Sequence, residues 1–432
     1  MYTSHIGKRF VQLVNEREGK QLSAQEYFDT AFFSLFYDHA RYLQSPANTP
    51  LFQVIAQKKT GDADARNKAK TQIVEKIADF ETAQTAPDMS FAIGYGSADD
   101  LGTTSAQITS LKLPLQADDM YASWIGAGLG IGLPGGLAIA FDKPEILSAL
   151  AEGWTLYRDF VNQIAGLENK VDTWNGVWLK HRFYENFNPE IPTAGGFHPV
   201  GSDGTMERPD WTDIVFALAE QFPKETLTGY VYSFGQMNKT VGFVRLALPE
   251  VGRFKQHLFG NLPPEQRERV KALYKTQYGV SAAIERFSLL GLQALEPKDL
   301  RKFMRENSAN STLKNDDKSQ LTYTIYIAWI SAMLNNQQLL DLAQEAARML
   351  HTYTAGAKGA KADRGNRVNE LLGSANRKRF IDILTDIVDD DATIAPVSDK
   401  LVHALMTDIP IDNAPLFVTL VRFKYALPQV NN

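Results

Sequence analysis

Lys358, Lys361, Arg364 and Arg367 fall in a small-residue stretch, Ala355 to Arg367, and Arg377, Lys378 and Arg379 open the next helical segment. Asp363 and Glu370 are the acids set against them. Ammonium and guanidinium groups at this density bind phosphate oxygens, and the flanking Gly and Ala leave a backbone that can order on a nucleic-acid strand. The same run would also serve as a solvated surface loop. A second group, Arg253, Lys255, Arg267, Arg269, Lys271 and Lys275, is diluted by Glu265 and Glu268 and reads as a solvated helix face. If both groups shared a side they would form a groove for a single strand, with Tyr274 and Tyr278 for stacking. Gln236, Asn238 and Lys239 sit at a predicted hairpin tip, where amide and ammonium donors reach groove acceptors of a duplex; a plain polar turn is the other reading.

Catalytic patterns are harder to find. Gly130-Ile-Gly132-Leu-Pro-Gly135 has G-x-G-x-x-G spacing, but it follows a helix-like segment and precedes a strand. A dinucleotide site needs the reverse order, so a tight helix-to-strand turn is expected. Acid pairs occur at Asp99-Asp100, Asp118-Asp119, Asp316-Asp317 and Asp389-Asp390-Asp391. They suit helix ends and turns as well as metal binding. No two of the seven histidines lie three or four residues apart, so no helix presents a paired metal site. His39 and His181 sit in aromatic-rich helices as packing residues, and His198 lies in a Gly/Pro-rich loop. There is no zinc-ligand spacing, Walker loop, nucleophile elbow or His-Asp dipeptide. The expectation is a non-enzymatic chain with no catalytic residue, metal or cofactor.

Composition narrows the class. The chain has 432 residues, 44% of them hydrophobic and 22% charged, which is ordinary for a globular protein of two or three domains. Zero cysteine removes disulfides, thiolate metal sites and cysteine nucleophiles together. The net charge of −5 argues against a general nucleic-acid coat, though not against a local basic face. The opening MYTSHIGKRF has no apolar signal core, and the longest apolar run, Ala127 to Phe141, is too short for a bilayer. A cytoplasmic location with no membrane partner is expected.

These residues must be positioned by three regions. Residues 1–87 read as helical: Ala24 to Leu43, started by a Ser23/Glu26 capping box, and Ala63 to Thr82. Residues 88–262 read as a mixed α/β domain. Strand composition falls at Ser90–Tyr95, Ile108–Leu115, Gly136–Phe141, Gly229–Phe234 and Val241–Leu248, with helices at Asp119–Leu129, Pro144–Gln163, Thr173–Glu185 and Trp211–Gln221. Asn188 to Pro209 is a long Gly/Pro-rich loop, a length that points to function or to disorder. Residues 263–432, after Pro263-Pro264, read as all helical.

The order of parts resembles a known family. A helical start is followed by SFAIGYGSADDLGTTSAQITSLKLPL and YASWIGAGLGIGLPGGLAIAFDKPEIL, a long helix with Trp154, and a compact helical tail ending in PLFVTLVRFKYAL. This layout is similar to the large subunit of type I CRISPR surveillance complexes (Cascade), most of all the type I-D large subunit, without its His-Asp nuclease domain. The resemblance implies an α+β chain: a helical N-terminal region, a degenerate palm-like sheet domain, and an all-helical C-terminal domain like the Cascade small subunit. It also implies an antiviral-defence role as an RNA-guided DNA-binding subunit, with guide RNA, target DNA and the other subunits as partners. Such a subunit would recognise the motif flanking the target and hold the R-loop. It would feed a separate nuclease or a CRISPR-associated Tn7-like transposase. Gln236, Asn238, Lys239 and the Gly195–Gly204 loop would then face the flanking duplex, and the Lys358–Arg379 cations the displaced strand or the heteroduplex backbone. The alternative is an α/β small-molecule enzyme with the 188–209 loop as a lid.

Overall fold

The computed structural model describes residues 1–95, 113–133, 136–164, 167, 170–183, 187–194, 197–201, 204–232, 240–260, 262–278, 295–297, 300, 316–356, 361–374 and 376–426. The fold is α+β, mostly helical with one small antiparallel sheet. The chain divides into two compact units, one built on Met1–Leu248 and one on Pro249–Ala282 with Gly291–Asn432.

In the first unit, α1 (Tyr2–Glu18) stops at Gly19, whose left-handed φ of 65° and N–H to the Asn15 carbonyl close the helix end. The expected capping box starts α2 (Ala24–Tyr27): Glu26 N donates to Ser23 Oγ at 3.1 Å and Ser23 N to Glu26 Oε2 at 2.7 Å. The helix widens through a π turn, Phe28–Phe32, and ends as α3 (Phe33–Phe36). It therefore stops short of the predicted Leu43. The reason is Arg158, which donates to the Leu35, Phe36 and Arg41 carbonyls at 2.6, 3.3 and 2.7 Å. The oxygens that would continue the helix are consumed by a guanidinium. α4 (Pro50–Ala56) and α5 (Ala63–Thr82) follow, α5 with the predicted bounds and Asp62 as its cap.

The predicted strand at Ser90–Tyr95 is instead a run of turns. Its polar backbone is satisfied by side chains: Trp124 Nε1 donates to Phe91 O, Ile93 N to Ser123 Oγ, and Thr3 Oγ1 to Ile93 O. With these groups taken, no ladder is needed. Most of the predicted Ile108–Leu115 strand lies outside the described residues.

α6 (Ala117–Gly128) leads into β1 (Ile131–Leu133) and β2 (Leu137–Phe141). α7 (Pro144–Gln163), α8 (Val171–Arg182) and α9 (Trp211–Gln221) intervene before β3 (Thr226–Tyr232) and β4 (Thr240–Ala247). The four strands pair antiparallel in chain order, so the described strands contain no parallel pair and no split βαβ unit of the palm type. At the start of β3, Leu227 is buried while Thr226 and Thr228 are exposed, and further along Val231 and Tyr232 are both buried, so only the start of the strand alternates with a period of two.

α1 crosses α6 at backbone contact. A Cβ on Gly7 would lie 1.9 Å from the Ala122 carbonyl oxygen, and one on Gly126 would lie 1.9 Å from that of Thr3. The glycines of the G-x-G-x-x-G stretch serve packing as well. A Cβ on Gly130 would meet the Tyr232 hydroxyl at 2.2 Å, and one on Gly132 would meet Asp172 at 2.8 Å. Buried Asn175 bolts this corner to the helices: its Nδ2 donates to the Gly128 and Gly130 carbonyls at 2.8 Å, and its Oδ1 accepts from Trp154 Nε1 at 3.3 Å.

The second unit is helical throughout its described residues. It begins with α10 (Leu248–Phe259), and Pro263 immediately precedes α11 (Pro264–Tyr278), which opens on Pro264. α12 (Asp317–Leu334), α13 (Gln337–Ala355), α14 (Lys361–Leu372), α15 (Arg377–Asp390), α16 (Ala395–His403) and α17 (Ala414–Ala426) follow. Asp316, Asn336 and Asn376 accept from Ser319, Gln338 and Arg379 N–H and cap α12, α13 and α15. α13 packs along α17, where His351 stacks on Tyr425 with ring centres 4.1 Å apart.

Gly7→Ala and Gly126→Ala should each lower unfolding stability by about 3 kcal/mol, because two backbones must part. Gly61→Ala, in open space, should leave it within about 0.5 kcal/mol. Denaturant melts of the three variants check this.

Candidate nucleic-acid interface

The outward face of the β3–β4 ribbon carries aromatic rings. Tyr230 and Phe243 are cross-strand partners, and their ring centres lie 5.3 Å apart. Phe243 is 65% exposed, although the core side of β4 is filled by Val244 and Leu246. Two residues on, Arg245 shares the Phe243 face and pairs across the ladder with Thr228. The first turn of α1 brings Tyr2 against both rings, 4.7 Å from Tyr230 and edge-on to Phe243 at 5.4 Å. Burial, with the Asp142 carboxylate beside it, pushes the Tyr2 phenol up to about 12, so the ring stays neutral at physiological pH.

Charge on this face is uneven. Asp142, just past β2, is engaged by His5 at 2.6 Å and by Arg9 at 3.7 Å. Arg245 is exposed and has no ion pair among the described residues. The ribbon runs into the connection that carries Gln236, Asn238 and Lys239, which lies outside the described residues. Tyr2, Tyr230, Phe243 and Arg245 are not among the sequence-predicted site residues. The readable signal is local parity: Tyr230 alternates with Val231 and Leu227, and Phe243 and Arg245 alternate with Val244 and Leu246.

The predicted basic cluster is placed differently from a bare phosphate comb. Lys358 lies outside the described residues, as does the side chain of Lys361. Arg364 is spent inside the fold. Its Nε lies 2.7 Å from Asp390 and its Nη1 3.3 Å from Asp391, its Nη1 also donates to Tyr353 O, and its guanidinium rests 4.4 Å over the Tyr353 ring. Arg367 pairs with Asp390 at 3.8 Å, and Arg379 with Glu370 at 3.0 Å. Arg377 donates to the Ile409 carbonyl at 3.0 Å. Lys378 is exposed, with no ion pair among the described residues. From Ala355 to Asp391 the chain carries seven cations and seven acids, and α15 returns its acids to the cations of α14. In the second basic group, Arg269 pairs with Asp317 at 3.1 Å and Lys271 with Glu268 at 3.9 Å. Tyr274 is buried with its hydroxyl donating to Leu295 O, so it offers no open ring for stacking; the side chain of Tyr278 lies outside the described residues.

The acid pairs serve as caps and ion pairs where they are described. Asp118 accepts from Ala24 N at 2.7 Å at the start of α2, and Asp119 pairs with Lys8 at 2.7 Å. Asp99-Asp100 lies outside the described residues. Among the described residues, no group of three or more His, Asp or Glu could hold a metal ion.

The described residues of the 188–209 loop are fastened at several points. Phe197 stacks on His181 at 4.2 Å and packs against Trp174 and Trp178. His181 Nε2 lies 2.7 Å from Pro192 O. Arg208 donates to Asp172, Thr173 and the Leu133 carbonyl at 2.8 to 3.1 Å. Opening the loop as a lid would break all of these. His198 is exposed, and parts of the Gly195–Gly204 segment lie outside the described residues.

Arg364→Met should lower the stability of the second unit by about 2 kcal/mol, since Asp390 and Asp391 lose their nearest cation and keep only weaker partners. Lys378→Met should stay within about 0.5 kcal/mol of the parent, read by denaturant unfolding. No helix among the described residues is long and apolar enough to cross a membrane. No family model, no curated protein and no solved structure matches this chain.

Proposed function

We propose that this chain is a non-catalytic large subunit of an RNA-guided, DNA-binding CRISPR effector complex of the cytoplasm. In this reading it recognises the motif flanking the target, holds the R-loop, and passes the bound site to a separate nuclease or a Tn7-like transposase. The layout resemblance supplies the family of this reading. The structural observation that supports it is the β3–β4 edge of the sheet, where Tyr230, Phe243 and Arg245 share one face. These strands lead into the residues with amide and ammonium donors, Gln236, Asn238 and Lys239.

The division of labour follows from the chemistry. Pairing to the guide supplies most of the sequence specificity, and the protein need read only a short flanking duplex. A ribbon tip fits a groove, where amide donors and acceptors discriminate base edges and a lysine meets acceptors or phosphate. Of the Lys358–Arg379 cations whose side chains are described, Lys378 is the one left open to a strand, because Arg364, Arg367 and Arg379 hold acids and Arg377 donates to the Ile409 carbonyl.

Purification of the tagged chain from its host should bring down a discrete population of guide-length RNAs with repeat-derived ends. In the assembled complex, target binding should weaken steeply with salt. Alanine at Gln236, Asn238 and Lys239 together should flatten discrimination between flanking motifs. A chain that purifies with neither RNA nor protein partners would remove this reading.

A further inference from the structure

We infer that the exposed ring of Phe243 on β4 is a stacking platform for an unpaired base of a single nucleic-acid strand, with Tyr230 and Tyr2 packed behind it and Arg245 beside it for the strand's phosphate. The inference rests on the nucleic-acid reading above, and adds to it the form of strand bound and the side chains that take it.

Phe243 carries the argument. Its position on β4 has the parity of solvent-facing residues, and it holds a phenyl ring that is 65% exposed. The ring is not loose. Tyr230 opposes it across the ladder, Tyr2 abuts its edge, and Tyr2 is itself fixed by the α1–α6 crossing. A flat, pre-positioned ring with one side open is what a nucleobase needs to stack at little ordering cost. Duplexes bury their base faces, so only an unpaired base can use it.

Charge favours a polyanion over other occupants. The nearby carboxylate, Asp142, is already held by His5 and Arg9, and Arg245 has no acid among the described residues. Among the described residues, this face therefore carries one cation without an acid partner, Arg245, in a chain of net charge −5. Size argues against a protein partner. The other large exposed apolar residues among those described are Phe52, Leu113, Ile191, Met406 and Ile411, none of them on the ribbon. What remains is a patch of two or three rings, far below a stable protein interface of about 800 Å² per partner, yet matched to one or two bases.

The test uses the purified full chain with short thymidine and uridine oligonucleotides and a duplex of equal length, at low salt, read by fluorescence anisotropy. A 2-aminopurine base in the strand reports stacking by its quenching. The single strand should bind more tightly than the duplex, and the tighter of the two single strands identifies DNA or RNA as the source. Phe243→Ala and Phe243→Leu should each weaken binding roughly 5- to 100-fold and abolish the quenching. Phe243→Tyr should retain both. Arg245→Gln should reduce the salt slope by about one. Wild-type affinity in Phe243→Leu would show an apolar contact in place of stacking and overturn the inference, as would a duplex bound at least as well or no binding of any strand. Phe243-dependent binding in a chain that carries no guide RNA would leave the platform standing and remove the effector assembly. Guide RNA in a chain whose Phe243 variants bind normally would do the reverse.

Discussion

Two glycines hold the first unit together by what they lack. Gly7 and Gly126 let the backbones of α1 and α6 touch, each glycine facing the other helix's carbonyl oxygen. That contact sets where the first turn of α1 lies, and so where Tyr2 and His5 meet the sheet and Asp142. It also anchors the 90–95 turns, whose backbone is satisfied by Thr3 from one helix and by Ser123 and Trp124 from the other. A close helix crossing thus governs the placement of an exposed ring cluster on a strand over two hundred residues further along the chain.

A second constraint is a buried cation with no acid partner among the described residues. Arg158 of α7 is 5% exposed, and its donors go to carbonyls at the end of α3 and the turn beyond it. Burial pulls the guanidinium down to about 10, still well above neutral pH. Helix C-termini carry partial negative charge, so this arrangement neutralises the cation without a carboxylate while ending the helix. Arg41 does the same in return, donating to the Val161 and Ile164 carbonyls at the end of α7. Each helix is closed by an arginine that comes from, or just after, the other.

Much of the architecture was legible because it is local. Pro144 to Gln163, Ala63 to Thr82 and Trp211 to Gln221 are helices with the bounds their periodicity and caps indicate. The Ser23/Glu26 box is a contact between residues three apart, and sequence carries such contacts well. Illegible features depended on partners distant in sequence. The end of α3 needs Arg158, and the turns at 90–95 need Thr3, Ser123 and Trp124. The cationic run looked bare because Asp390 and Asp391 stand some twenty-five residues beyond Arg364, yet α15 folds them back onto it. The ribbon was legible as a hairpin, but the value of Phe243 was not. An aromatic residue in a strand reads as core until its parity is compared with the neighbours that fill the interior.

The π turn at Phe28–Phe32 bears on how this segment tolerates changes of length. In an ordinary α-helix, side chains four apart drift by ~40° around the axis with each step. Phe28, Phe32 and Phe36 instead form a column, with ring centres 5.7 and 4.0 Å apart and interplanar angles of 29° and 17°. The wide turn cancels the drift that a regular helix would accumulate. Loss of one residue here would restore the regular helix and swing the last ring away from Trp154, which it now meets edge-on at 4.8 Å. The spacing between Ser23 and the Arg158 clamp is therefore a fixed dimension of the fold, less forgiving of a single-residue deletion than of many substitutions.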